Sequence, residues 1–313
     1  GACRHAGGLG MLVVAALGGN ALLQRGQPMT AGIQRQNALT AARALAGILR
    51  AGHQLVITHG NGPQVGLLAL QNPAEDGYPL DVLGAETAGM IGYLIEQELE
   101  NVLDHDRPVA TLLTQVVVDR DDPAFGAPTK FVGPVYDHQQ AQAMADANGW
   151  QIAQDGAKWR RVVASPAPRE IPDTRVIQLL LDAGVVVICT GGGGIPVIRQ
   201  TDGSLSGIEA VVDKDASTAL LAQSLGADVL LLLTDVDAVY RDFGSDEAVK
   251  LSRLSPQDAL HFDAPAGSMA PKLKAASTFA AAGGLAGIGR LQDALEIISG
   301  VAGTQISERN PGR

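Results

Sequence analysis

The chain has 313 residues, 46% of them hydrophobic and 18% charged, which excludes extensive disorder and leaves room for one large α/β unit or two closely joined lobes. No apolar run approaches the ~20 residues that span a bilayer, so no membrane contact is expected. A formal net charge of −10 disfavours nonspecific attraction to nucleic acid or anionic lipid, and any anionic substrate must be met by local positive groups.

Residues 1–10 (GACRHAGGLG) lack the apolar core of a signal peptide and are expected to be a disordered or vector-derived tail, with Met11 a natural start. Of the two cysteines, Cys3 lies in that tail and Cys189 in an apolar run. No structural disulfide is expected, and the setting implied is a reducing cytoplasm. Leu12–Leu17 (LVVAAL) reads as a buried strand ending at Gly18-Gly19-Asn20. Residues 30–50 read as a helix, with Leu39, Ala42, Leu45, Ala46 and Leu49 at helical spacing and Gly52 as a stop. Residues 54–58 (QLVIT) form a second strand that runs into His59-Gly60-Asn61-Gly62-Pro63. The spacing predicts a helix over 86–103, whose broad apolar face (Met90, Ile91, Leu94, Ile95, Leu99, Val102) suits either the core or a dimer interface.

One strand is expected across 109–118, and further strands at 185–189, 229–233 and 285–288. Between them, residues 119–168 break the rhythm. That segment is rich in Pro, Gly, Asp and Arg, carries both tryptophans (Trp150 and Trp159), and reads as an insertion or lid. A break at 200–203 (QTDG) is a candidate boundary between two lobes. Strands alternating with helices predict right-handed crossovers and a mainly parallel sheet covered on both faces.

Three glycine-rich turns each follow a strand: Gly18-Gly19-Asn20, Gly60-Asn61-Gly62, and Gly191-Gly192-Gly193-Gly194. Glycine lets backbone N–H groups converge on an anion, and ligands of open α/β sheets bind at the carboxyl ends of the strands. One such turn signifies little; three point to one shared anion site. No P-loop, no dinucleotide-binding glycine fingerprint and no protein-kinase signature is present, nor HExxH, CxxC or a G-x-S-x-G elbow.

Lysine is scarce, with six against 17 arginines. Lys214 stands between Asp213 and Asp215 after an apolar run; such a lysine can neutralise transferring phosphoryl oxygens, and an aspartate can hold Mg²⁺ or orient the lysine. Lys272 follows Ser268, a fitting N-cap, and Pro271, so it enters a helix start where the macrodipole disfavours a cation unless it meets an anion. Residues 231–240 (LLLTDVDAVY) suit either one wall of an adenine pocket or a plain strand–turn. The six histidines are scattered and read as structural or exposed.

Taken in order, VVAALGGNAL (13–22), LVITHGNGPQVG (55–66), AGMIGYLIEQEL (88–99), PTKFVGPVY (128–136), WRRVVASPAP (159–168), GGGGIPVI (191–198), EAVVDKDAS (209–217), LLTDVDAVY (232–240) and GSMAPKLKAA (267–276) resemble the carbamate kinases of the amino acid kinase superfamily. The resemblance implies a three-layer αβα sandwich with a central, mainly parallel sheet. An N-lobe at about 11–200 would contain a lid at about 119–168, a C-lobe at about 201–310 would take the nucleotide, and two chains would form a homodimer. It implies that Gly18, Gly19, Asn20, Gly60, Asn61, Gly62, Gly191, Gly192 and Gly193 surround carbamate or carbamoyl phosphate. Lys214 and Lys272 would neutralise the phosphoryl group, Asp215 would organise them, and Lys130 would reach in from the lid. Thr234, Asp235, Tyr240, Met269 and Lys272 would border ATP or ADP, which brings its own Mg²⁺. The chain departs from the family pattern at Phe131, Val135 and Ala167, all in or beside the lid. Carbamate phosphorylation, probed against another small-molecule kinase of the superfamily or a non-catalytic nucleotide-binding regulator, is the expected function, with arginine catabolism its expected setting.

Overall fold

A computed structural model describes residues 10–19, 23, 27–28, 30–71, 77–264 and 269–308. The expectations for a tail at 1–9, for Asn20 and for Ser268 as an N-cap lie outside these residues. Strand β1 (Leu12–Leu17) leads to helix α1 (Ala31–Arg50), β2 (Gln54–His59), α2 (Gly62–Gln71), α3 (Leu80–Val102), β3 (Val109–Thr111) and β4 (Gln115–Val118). Next come β5 (Lys130–Tyr136), α4 (His138–Asn148), β6 (Gln151–Asp155), β7 (Lys158–Val163) and β8 (Pro168–Glu170). The chain continues through α5 (Thr174–Asp182), β9 (Val186–Ile188), β10 (Ile195–Arg199), β11 (Leu205–Gly207), α6 (Lys214–Ser224) and β12 (Val229–Thr234). It closes with β13 (Val239–Arg241), β14 (Val249–Leu251), β15 (Arg253–Leu254), α7 (Pro256–Leu260), α8 (Met269–Ala281), β16 (Leu285–Arg290), α9 (Ala294–Ser299) and β17 (Thr304–Ile306).

Eight strands form the central sheet in the order β15-β17-β16-β12-β1-β2-β9-β3. Every pairing in it is parallel except β16 with β17. The strand period of two deals alternate side chains to the two faces. Val13, Ala15 and Leu17 of β1 join Leu45, Ile48, Ile91, Ile95, Leu99 and Ile297 from α1, α3 and α9. Val14 and Ala16 join Ile177, Leu181, Leu221, Leu273 and Phe279 from α5, α6 and α8. Helices therefore cover both faces, which is the expected three-layer arrangement. Both sides being dry explains why the strands read as continuous apolar runs.

The run 109–118 is two strands rather than one. β3 stays in the central sheet, whereas β4 enters a second, four-stranded sheet of order β11-β10-β4-β8. The bend at 112–114 is fixed by Thr114, whose hydroxyl donates to Leu112 O at 3.2 Å and accepts from Thr190 N at 3.1 Å. Neither glycine nor proline marks it in the sequence. The predicted helix over 86–103 starts earlier, at Leu80, directly after Pro79. Residues 200–204 close the antiparallel hairpin of β10 and β11. Within 119–168 the chain leaves the layered body: β5, β7 and β6 make their own antiparallel sheet, with α4 between β5 and β6 in the chain. Trp159 meets His138 edge to face at 4.6 Å, and Arg161 stacks over Trp150 at 4.7 Å. The departures Phe131 and Val135 both lie on β5, and Val135 is exposed.

Candidate active site

The order of the central sheet locates the site before any side chain is considered. From β1 the chain crosses through α1 to β2 on one side; from β12 it reaches β16 on the other side by way of α8. β1 and β12 are neighbours, so no crossover covers the gap between their carboxyl ends, and ligands of open α/β sheets bind at such a reversal. Gly18 and Gly19 end β1 there, and Thr234 and Asp235 end β12. Gly18 N donates to Leu233 O at 3.1 Å, which ties the two strand ends together.

The other two glycine turns close on the same place. A β-carbon added at Gly60 would sit 3.4 Å from Gly19 N and 3.8 Å from Lys214 Cδ. At Gly191 it would strike His59 Nε2 at 2.7 Å. Gly192 and Gly193 hold φ of +68° and +96°, and their missing β-carbons would lie 2.2 Å from Asn61 Nδ2 and from Val212 O respectively. Glycine is required at both positions for backbone conformation and for space. Ser217 on α6 donates to Gly193 O at 2.7 Å and locks the third turn against that helix. Gly62 opens α2, whose first i to i+4 bond runs from Val65 N to Asn61 O. Two helix starts, those of α2 and α6, thus border one cradle of glycine backbone, an arrangement that favours an anion.

Charge enters from α6 and α8. Asp215 accepts from Lys214 Nζ through one oxygen at 2.5 Å and from Lys272 Nζ through the other at 3.0 Å. Asp215 and Lys272 are buried, with exposures of 4% and 5%. Burial alone would raise the Asp215 carboxyl, but the two ammonium groups outweigh it and hold the acid far below the usual carboxylate range. Burial lowers Lys214, with the Asp215 carboxylate opposing and the Lys272 charge assisting. Two cations on one anion leave the cluster with net positive charge. Lys272 lies in the first turn of α8, as the sequence implied.

Asp213 caps α6 through one carboxylate oxygen, which accepts from Asp215 N at 3.0 Å and Ala216 N at 3.1 Å. Its second oxygen takes Lys130 Nζ at 2.7 Å. Lys130, the first residue of the small sheet's β5, is therefore brought to the charged helix start. Sequence reasoning assigned Asp213 no part of its own; the signal was available in its N-cap position before Lys214.

On the β12 side, Thr234 Oγ donates to Asp235 Oδ1 at 3.1 Å. Tyr240 on β13 donates to the Asp237 carboxylate at 3.0 Å, and Lys250 on β14 donates to the same group at 3.0 Å. Thr234 pairs with Arg290 in the sheet, and the Arg290 charge is felt at Tyr240. Met269 begins α8 one turn ahead of Lys272 and packs against the core. Asp237 and Lys250 were not anticipated from sequence, since the β13–β14 pairing that joins them spans a polar loop without apolar periodicity. His59 was read as structural and is fully enclosed; burial pushes its imidazole down to about 4, the Gly60 carbonyl opposes that shift, and the Lys214 charge adds to it. The ring is neutral at neutral pH. Each Asp215 oxygen accepts from one lysine ammonium, and among the described residues no group of three or more acidic, histidine or cysteine side chains is placed to hold a metal ion.

Residues 11–288 match the model of the amino acid kinase family. The chain is 56% identical to carbamate kinase of Rhizobium meliloti over 95% of its own length and 93% of the relative's. It is 51% identical to carbamate kinase of Haemophilus influenzae over 96% and 98% of the two chains. The structure of Giardia lamblia carbamate kinase bound to AMP-PNP superposes with a TM-score of 0.87 at 40% identity, covering 95% of this chain and 98% of that one. Matched by that family model over most of its length and 56% identical to a carbamate kinase across nearly the whole of both chains, the chain belongs to the carbamate kinases of the amino acid kinase family.

Proposed function

We propose that the chain transfers a phosphoryl group reversibly between ATP and carbamate, giving ADP and carbamoyl phosphate. The observation that carries this reading is the buried Lys214–Asp215–Lys272 cluster facing the glycine cradle, where net positive charge survives in a chain of net charge −10. Phosphoryl transfer is mostly positioning and charge stabilisation. Two anions must be held in line, and the cluster with the starts of α2 and α6 supplies the opposing potential. Carbamate is already an anionic oxygen nucleophile and needs no base; the neutral, enclosed His59 agrees with that. The cradle of Gly18, Gly19, Gly60, Asn61, Gly62 and Gly191 to Gly193 takes carbamate or carbamoyl phosphate. Lys214 and Lys272 hold the transferring group, with Asp215 fixing both ammoniums.

Thr234, Asp235, Tyr240 and Met269 border the nucleotide in the second lobe. Mg²⁺ arrives as the nucleotide's ion, held chiefly by phosphate oxygens, and offsets phosphate charge. The small sheet of β5 to β7 acts as a lid that carries Lys130 over the phosphoryl group. Two chains pair as a homodimer in the cytoplasm, and the reaction forms ATP from carbamoyl phosphate in arginine catabolism. The test is ATP formation by the pure protein from ADP, Mg²⁺ and carbamoyl phosphate, beside acetyl phosphate, glutamyl and nucleoside monophosphate substrates of related kinases. Turnover with carbamoyl phosphate supports the reading. Turnover only with another acceptor or donor, or tight ADP binding without turnover, overturns it in favour of a different kinase or a regulator.

A further inference from the structure

A hydrogen-bond relay runs from the core helix α3 into the glycine cradle. Thr87, wholly buried on α3, donates its one hydroxyl proton to the helix carbonyls behind it, Gly84 O at 2.9 Å and Leu83 O at 3.1 Å. With that proton spent, the hydroxyl oxygen can only accept. Asn61 Nδ2 lies 2.8 Å away and donates to it. An amide whose oxygen faced Thr87 would set two acceptors against each other, which a buried contact does not tolerate. The relay therefore fixes which way round the Asn61 amide stands, with N–H₂ toward α3 and Oδ1 on the opposite edge. Asn61 is 5% exposed, its amide lies against Gly192, and Oδ1 accepts no hydrogen bond among the described residues.

We infer that Thr87 is a positioning residue which holds Asn61 Oδ1 as an acceptor for the amino group of carbamate and carbamoyl phosphate. The inference rests on the function proposed above and adds to it the means of selecting the substrate. A backbone cradle of N–H groups recognises oxygen anions and treats a carboxylate bearing NH₂ or CH₃ alike. Only an acceptor at the right edge separates them, because an amino group donates to it and a methyl group leaves it unpaired. A site built to hydrogen-bond an N–H rejects the analogue that lacks one.

The experiment compares carbamoyl phosphate with acetyl phosphate, its methyl isostere, as phosphoryl donors to ADP in wild type, Thr87→Val, Thr87→Ser and Asn61→Leu. Where acetyl phosphate turns over too slowly to measure, its competitive inhibition constant against carbamoyl phosphate replaces kcat/KM. ADP affinity and melting temperature report folding. Thr87→Val keeps the shape and removes the hydroxyl, so kcat/KM for carbamoyl phosphate should fall roughly ten- to a hundredfold while the acetyl phosphate value holds. Thr87→Ser should restore the ratio, and Asn61→Leu, which deletes the acceptor itself, should lose it even if Thr87→Val does not fold. An equal fall for both donors, or an unmoved ratio in both Thr87→Val and Asn61→Leu, overturns the relay as a selector. A wild type inert toward carbamoyl phosphate instead overturns the proposed function, a separate outcome read before any variant is made.

Discussion

Lys214 and Lys272 lean on a single carboxylate, and each has a different route to it. Lys214 reaches Asp215 from the adjacent position at the start of α6, whereas Lys272 crosses from α8, 57 residues later in the chain. Removing Lys214 leaves a neutral Lys272–Asp215 pair and a phosphoryl group without its second cation. Lys214→Ala should lower turnover by roughly 10²–10³-fold, the loss typical of one transition-state donor, with the fold retained. Steady-state kinetics on a variant of native melting behaviour checks this, and near-normal turnover would show that the lysine does not meet the transferring group. His59 yields a prediction of another kind. Its imidazole titrates at about 4 in the fold and near 6.5 when the chain is unfolded. Between those values acid protonates the unfolded chain alone, so stability drops as pH falls from about 6.5 to 4, by about 3 kcal/mol in all. Denaturant titrations across that window should lose this slope in His59→Gln; an unchanged slope would place the linkage elsewhere. Asp215, with its depressed carboxyl, begins to lose its contribution as pH falls below the ordinary carboxylate value of about 4 and loses the rest in stronger acid. At this scale the glycines and lysines were legible because their types are conspicuous at strand and helix ends. Thr87 was not, since a threonine inside an apolar helix carries no outward mark of the bond it makes.

Among the elements, β5 has the plainest consequence. It carries Lys130 to Asp213 Oδ2, the oxygen not used to cap α6. A phosphoryl group entering the cradle would compete with Asp213 for that ammonium. Lys130→Ala should raise KM for carbamoyl phosphate severalfold or more and leave the ADP dissociation constant unchanged, because the proposed nucleotide side lies at β12 to β14. Parallel kinetic and equilibrium titrations test it; equal losses for both ligands would mean that β5 supports the whole site rather than the phosphoryl end. Helix α3 shows how far periodicity reaches. Its apolar face divides, with Ile91, Ile95 and Leu99 sunk against the sheet and Met90 and Tyr93 exposed. The pattern revealed an amphipathic helix but not where its dry side stops, since Met and Ile look alike to a periodicity count. The 112–114 bend escaped notice for a related reason: a hydroxyl, not a turn residue, makes it.

For the whole molecule, the alternation of strands and helices was enough to anticipate a covered parallel sheet, because burial on both faces leaves uninterrupted apolar runs. Strand order was not readable, as nothing in a single chain says that β1 finds β12 rather than β9. The exposed Met90 and Tyr93 give the proposed dimer a concrete surface. Light scattering at micromolar concentration should return twice the 32.3 kDa chain mass, and Met90→Glu with Tyr93→Glu should return it to one. A monomer in the unaltered protein would discard the dimer; a dimer that survives both charges would move its interface off α3.

The neighbouring of β1 and β12 also has a consequence in time. Val13 of β1 sits beside Val229, 216 positions later in synthesis. At about 5–20 residues per second, a ribosome needs roughly 10–40 s to bridge that interval. Throughout it, β1 can take β2 on one side while its other edge, Val13 to Leu17, waits with its backbone unpaired and its side chains apolar. An open edge of that kind recruits strands from other chains. The seam beside the proposed reaction site thus stays open until β12 arrives, and for that interval the nascent protein is exposed to aggregation along the strand that borders its candidate site.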